Sequence, residues 1–357
     1  MDSPLKFSTK KIIQTLDSAS KTNDKNAFNS EKKNAIFSSK EVPDVSCCKE
    51  KDSENEEEEP KQLQKVVKRR KSKSKTINNT GNFGFKFGHM FKNTGLKSCQ
   101  KREQNKSNRD YMEDFTLIID SFNKDISKHL YCLFDGHGGD QVAKSCCEIL
   151  PGILAAQLNN NPFDFDVALK NSFPLLEKEI KKSKINNVGC TATVVLICNK
   201  FLLCANVGDS TCVLITEKGF EKLSIDDKVT NPSEIERIKK KGGVIEDDRV
   251  GGIIAVTRSI GDFDLKNKGL ICEPHITKIL IEHTHKFLVI ASDGIWDVIT
   301  PEEVFKISSE VTDVDLLGEK LVQEALKKGS DDNISCIVVE LNKSPVKKVC
   351  AENKKNT

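Results

Sequence analysis

The chain has 357 residues, 37% apolar and 31% charged, with a formal net charge of +3. No apolar stretch nears the roughly 18 residues of a membrane helix, so no transmembrane span is expected, and so slight a positive balance does not point to nucleic acid. The thirteen cysteines are odd in number, spread along the whole length, form no Cys-x-x-Cys pair and sit mostly in apolar strings, which argues against a disulfide scaffold or zinc ribbon and for buried thiols in a reducing compartment.

Taken from the start, residues 1–92 are rich in Lys, Ser, Asn and Glu and bury too little apolar surface to offset chain entropy, so a disordered charged extension is expected there. Met1 to Lys11 leads into no apolar signal core, and neither Asp2 nor the Lys-Asn-Thr end offers a lipidation box. The run Lys65 to Lys75 is read either as a solvated charged tail or as a weak nuclear signal, giving a cytoplasmic or nuclear location. It lacks the interleaved aromatics that base stacking needs.

From about Asn93 to 343 the texture is that of one folded domain, followed by a disordered tail at 344–357. Phe115–Ile119, Leu130–Phe134, Thr191–Cys198, Phe201–Asn206, Cys212–Ile215, Lys286–Ala291 and Ile334–Glu340 read as strands. Gly139–Leu150, Pro301–Ser308 and Val314–Lys328 have helical spacing. Strands grouped before and after helices, with few βαβ alternations, predict an α+β layered sandwich.

Acidic residues stand at the ends of the apolar strands or in tight turns: Arg109-Asp-Tyr-Met-Glu113-Asp114, Phe134-Asp135-Gly136-His137, Val207-Gly-Asp209, Ser292-Asp293-Gly-Ile-Trp-Asp297 and Asp331-Asp332-Asn333. A lone Asp-Gly is usually a turn. Two of these, however, finish runs apolar enough to be central strands, whose ends converge. Carboxylates crowded at one sheet edge resist ionisation unless a cation neutralises them, and an all-oxygen donor set selects Mg²⁺ or Mn²⁺ over Zn²⁺. With six histidines, and only His137 in an acidic motif, a His-rich metal site cannot be assembled. None of the cysteines has an Arg six residues on, which excludes cysteine-dependent phosphatase chemistry, and no P-loop glycine pattern occurs.

In this order the chain carries Met112-Glu-Asp, Phe134-Asp-Gly-His-Gly-Gly, Gly189-Cys-Thr-Ala, Ala205-Asn-Val-Gly-Asp-Ser, Gly242-Gly, Ala255-Val-Thr-Arg-Ser-Ile-Gly-Asp262, Ala291-Ser-Asp-Gly-Ile-Trp-Asp and Asp332-Asn. Together these resemble the type 2C, metal-dependent protein phosphatase family. The resemblance implies a four-layer α-β-β-α sandwich of two antiparallel sheets, and hydrolysis of phosphoserine and phosphothreonine in phosphoprotein substrates by a monomeric domain. It also implies two Mg²⁺ or Mn²⁺ ions: Asp135 bridges them, Glu113 and the Gly136 carbonyl complete one site, and Asp293 and Asp332 the other. Asp114 would act through a bound water, and Asp209 and Asp297 match a weaker third metal site. Two ions about 3.5 to 4 Å apart acidify a shared water for in-line attack on phosphorus, without a covalent phosphoenzyme. Arg109 suits bidentate phosphate binding, and His137 suits protonation of the leaving oxygen, unless they are plain surface charge and a turn residue. Asp227 stands where the family commonly has His, and Thr211 where Arg often follows; the first opens a segment to about Val250 that resembles the family's flap. A catalytically silent phosphoprotein-binding scaffold of the same fold is the rival reading.

Overall fold

The computed structural model describes residues 96–342. The charged extension at 1–92, its basic run and the tail at 344–357 lie outside the described residues. Fifteen strands and six α-helices are described. The strands are β1 (Lys97–Glu103), β2 (Phe115–Ile119), β3 (Lys128–Phe134), β4 (Gly136–His137), β5 (Gly189–Cys190), β6 (Ala192–Cys198), β7 (Phe201–Val207), β8 (Thr211–Thr216), β9 (Phe220–Lys222), β10 (Ile245–Glu246), β11 (Arg249–Val250), β12 (Ile260–Gly261), β13 (His275–Leu280), β14 (His285–Ala291) and β15 (Ile334–Glu340). The helices are α1 (Gln141–Asn160), α2 (Phe165–Lys181), α3 (Pro232–Lys240), α4 (Asp293–Trp296), α5 (Pro301–Ser309) and α6 (Val314–Lys327).

Two five-stranded antiparallel sheets, ordered β1-β15-β14-β8-β9 and β13-β7-β6-β3-β2, make the centre of the sandwich. The period-2 alternation of each strand sorts its side chains into separate cores. In β3, Tyr131 and Leu133 join Leu288, Ile290, Ile337 and Val339 of the other sheet in the core between the sheets. Leu130, Cys132 and Phe134 of the same strand face the opposite way, against Ile149, Ile153, Leu169 and Phe173 of α1 and α2. On the other sheet Val289, Cys336 and Val338 meet Val304, Leu317 and Leu321 of α5 and α6. Helix, sheet, sheet, helix: the four-layer α+β arrangement is present.

Because both faces of these sheets are covered, the central strands are continuously apolar. All seven residues of β6 are buried, and so are all but the first of β7. The ten described cysteines are free thiols, eight of them buried, and burial drives the thiols of Cys132, Cys190 and Cys212 well above their usual range.

The sequence reading missed the strands of two or three residues, the helices α3 and α4, and three further elements. β1 and β13 are edge strands with half-exposed faces, so neither shows a long apolar run. Helix α2 was hidden by Pro174, although Asp164 caps it, its side chain accepting from Val167 N at 3.1 Å. Helix α1 also runs past Pro151 to Asn160 rather than stopping at Leu150, since packing on its buried face outweighs the one backbone bond a proline removes. Among the described residues no helix is long and apolar enough to cross a membrane.

Candidate active site

The expected ligands all stand at ends of the two large sheets. Asp135 follows β3, Asp293 follows β14 as the first residue of α4, Asp332 precedes β15, and Glu113 and Asp114 precede β2. Backbone and side-chain bonds lace these ends together. Asn333 accepts from Glu113 N at 2.8 Å through Oδ1 and donates through Nδ2 to the carbonyls of Gln104 and Tyr111, so the Asp332-Asn333 turn is fastened to the loop that carries Arg109 and Glu113. Ser292 Oγ donates to Asp114 Oδ2 at 3.0 Å, tying β14 of one sheet to the start of β2 in the other. Gly136 permits a close approach: a Cβ there would lie 2.6 Å from the Glu113 carbonyl oxygen, so only glycine lets these two backbones meet.

Electrostatically the site is a nest of like charges. Burial, and then the charges of Asp293, Asp114, Asp209 and Asp332, push the Asp135 carboxyl well above the carboxylate range. Burial and the neighbouring Asp209 and Asp332 raise Asp293 to about 8, and burial raises Asp114 to about 6. Glu113, Asp209 and Asp332 are shifted upward as well, burial being the largest cause in each. Such shifts mark carboxylates that need a cation beside them.

Two side-chain cations reach the edge of the nest. Arg109 donates through Nη2 to Asp332 Oδ2 and through Nε to the Asp331 carbonyl at 3.0 Å. Lys228 Nζ lies 3.2 Å from Asp209 Oδ2 and 3.6 Å from Asp297 Oδ1, between the two third-metal candidates. No Lys or Arg pairs with Asp135 or Asp293 among the described residues. An all-oxygen donor set with its central carboxylates unneutralised fits hard divalent cations.

One tight cluster of metal-ligating residue types does occur among the described residues, and it is elsewhere: Asp227, Glu234 and His275, with donor atoms within 4.8 Å of one another. The expected ligands are more widely set. The tight cluster is already filled with protein cations. Asp227 Oδ1 is hydrogen-bonded to His275 Nε2 at 2.8 Å and forms an ion pair with Arg258, 3.2 Å from its Nε, and its Oδ2 accepts from Gly208 N at 3.0 Å. Glu234 is gripped by Arg237 and Arg258, which outweigh its burial and hold its carboxyl down at about 2. The flap segment, built from α3 and the β10–β11 hairpin, is thus anchored by a buried ionic lattice to the turn that carries Asp209. We expect Asp227→Ala to cost about 3 kcal/mol, because Arg258 loses a buried counter-charge and His275 a hydrogen-bond partner. Urea denaturation should show a lower midpoint at unchanged slope; an unshifted midpoint would contradict the structural role of this lattice. Thr211, the other departure noted above, is buried, and its hydroxyl donates to Asp226 Oδ1 at 2.8 Å.

His137 lies on β4 and hydrogen-bonds Asp262, at 2.8 Å. Neither Asp262, His275 nor Lys228 was assigned a part from the sequence; Asp262 did stand at the end of a quoted motif.

An acidic centre at the ends of two packed antiparallel sheets defines a class of metal-dependent hydrolase, and the comparisons give the family. The protein phosphatase 2C family model matches residues 100–334. Protein phosphatase 2C homolog 1 of Saccharomyces cerevisiae is 32% identical over 258 residues, covering 67% of this chain and 91% of the yeast protein. A probable protein phosphatase 2C 45 of Oryza sativa is 36% identical over 237 residues, covering 64% of this chain and 82% of its own. Among solved structures, a Caenorhabditis elegans sex determining protein superposes with a TM-score of 0.64 at 23% identity, over 71% of this chain and 66% of that one. A serine-threonine phosphatase 2C from Toxoplasma gondii gives 0.59 at 19%, over 69% and 95%. The chain belongs to the protein phosphatase 2C family of metal-dependent protein-serine/threonine phosphatases.

Proposed function

We propose that Glu113, Asp135, the Gly136 carbonyl, Asp293 and Asp332 hold two Mg²⁺ or Mn²⁺ ions and that the domain, acting as a monomer, hydrolyses phosphoserine and phosphothreonine in proteins by direct attack of water. The observation that carries this reading is the convergence of these side chains in a nest where Asp135 and Asp293 hold raised proton affinities and meet no protein cation. When bound, such ions make water acidic enough to attack phosphorus at neutral pH and neutralise the transferring phosphoryl group.

The chain's own residues do the rest. Asp114, held by Ser292, orients water beside the centre. The Arg109 guanidinium has Nη1 uncommitted among the described residues and turns it to the phosphoryl oxygens, a planar donor that Lys cannot replace. His137 delivers a proton to the departing seryl or threonyl oxygen. Lys228 already answers the charge of Asp209 and Asp297, so a third cation there binds weakly.

The purified protein should release phosphate from a phosphothreonine peptide with Mn²⁺ or Mg²⁺ added and stop on EDTA; activity indifferent to chelation would overturn the reading. Removing residues 1–92 should leave the rate within about twofold, since every proposed ligand lies beyond them, while a cytoplasmic or nuclear address read from Lys65 to Lys75 should be lost from cells expressing the truncated chain.

A further inference from the structure

The small sheet β12-β5-β4 sends only Cys190 and Ile260 into the large cores, yet its register is tightly specified. Gly136 pairs with Cys190 and His137 with Gly189, and on the other side Gly189 pairs with Gly261 and Cys190 with Ile260. The result is to set Asp262, the residue after β12, directly against the His137 ring.

Four details of Asp262 are hard to explain as packing. It is 5% exposed, although a buried carboxylate is costly without partners. Its backbone is left-handed, at φ 47, a conformation that costs a non-glycine residue stability and persists only where surroundings impose it. One oxygen, Oδ2, takes both the His137 Nε2 contact at 2.8 Å and the Ser259 hydroxyl at 2.6 Å. Gly189 is bare because a Cβ there would fall 2.0 Å from that same oxygen. A strained backbone, a hydroxyl and a missing side chain all serve the aim of one carboxylate oxygen.

We propose that Asp262 is a positioning residue for His137. Its carboxylate accepts Nε2–H, fixes the ring plane and balances the imidazolium charge, which leaves Nδ1, free of hydrogen bonds among the described residues, as the nitrogen that faces the substrate. In the step this supports, water oxygen bonds to phosphorus and the bond from phosphorus to the seryl or threonyl oxygen breaks. That oxygen keeps the electron pair and takes the Nδ1 proton, and the imidazole recovers a proton from solvent, so ester and water become alcohol and phosphate. The inference rests on the reading of His137 as the acid of the phosphatase reaction.

The test uses leaving groups. A phosphothreonine peptide expels an alkoxide that needs a proton, whereas an aryl phosphate with an acidic phenol does not. Asp262→Asn is suited to it, since Asn tolerates the left-handed backbone and keeps the shape while losing the charge. We expect kcat on the phosphothreonine peptide to fall about 10- to 100-fold at unchanged KM, and kcat on the aryl phosphate to fall at least tenfold less. His137→Ala should show the same split, the double variant should be no worse than His137→Ala, and Ser259→Ala should show a weaker form of it. Thermal melts confirm that each variant folds. Equal losses on both substrates in Asp262→Asn, with the split retained in His137→Ala, overturn the positioning role alone. A His137→Ala variant with no split removes the acid assignment and this inference with it.

Discussion

Asp293→Asn should lower turnover of a phosphothreonine peptide by about a thousandfold or more while the domain keeps its fold. Asp293 opens α4 in the nest, and its carboxyl is raised to about 8 by burial and by the facing charges of Asp209 and Asp332. The isosteric amide keeps the Gly294 carbonyl in place for Ser330 Oγ, at 2.7 Å, so nothing in the surrounding hydrogen bonding collapses. On the two-metal reading proposed above, what would be lost is one negative charge opposite a divalent ion, a loss such hydrolysis tolerates poorly. Steady-state kinetics across a Mn²⁺ titration, with a thermal melt of the same sample, decide the matter. Wild-type turnover in this variant would remove the metal assignment altogether.

The second large effect concerns the chain stripped of metal. Burial, the leading cause in each, raises Asp293 to about 8, Asp114 to about 6 and Asp135 well above the ordinary range. Unfolded, these carboxyls release their protons near pH 4. The folded state therefore binds more protons, and linkage makes stability fall as pH rises. The contribution is complete below about pH 4 and is lost progressively up to about pH 8. In EDTA the melting temperature should drop on the order of 10 °C between pH 5 and pH 8, and Mn²⁺ should restore it most at the upper end. A melting temperature flat over that range would mean that the carboxylates do not press on one another as the geometry requires.

Much of this was readable from residue order. The central strands announce themselves because burial on both faces leaves no polar alternation, as in Ala192–Cys198, and carboxylates that terminate such strands must gather at an edge. Edge strands gave no such signal: Lys97–Glu103 is polar at every position but Cys99 because one face meets solvent. Partnerships across the chain were also illegible. That Asp227 would meet His275 and Arg258, or Lys228 sit between Asp209 and Asp297, depends on segments 19 to 69 residues apart whose meeting only the fold decides. Asp262 was visible as a motif letter, but its purpose becomes apparent only when β12 is seen to pair with β5 and β5 with β4.

The two large sheets each donate part of the proposed centre, Asp135 from one and Asp293 and Asp332 from the other, with the apolar seam of Tyr131, Leu288 and Ile337 between them. The ligand set therefore acts as a caliper whose two jaws are whole sheets. If the centre binds cations as proposed, any influence that slides one jaw along the other, whether a remote core substitution or a protein clamped on the outer helices, would be felt at the tips as a change in cation affinity without touching a single ligand.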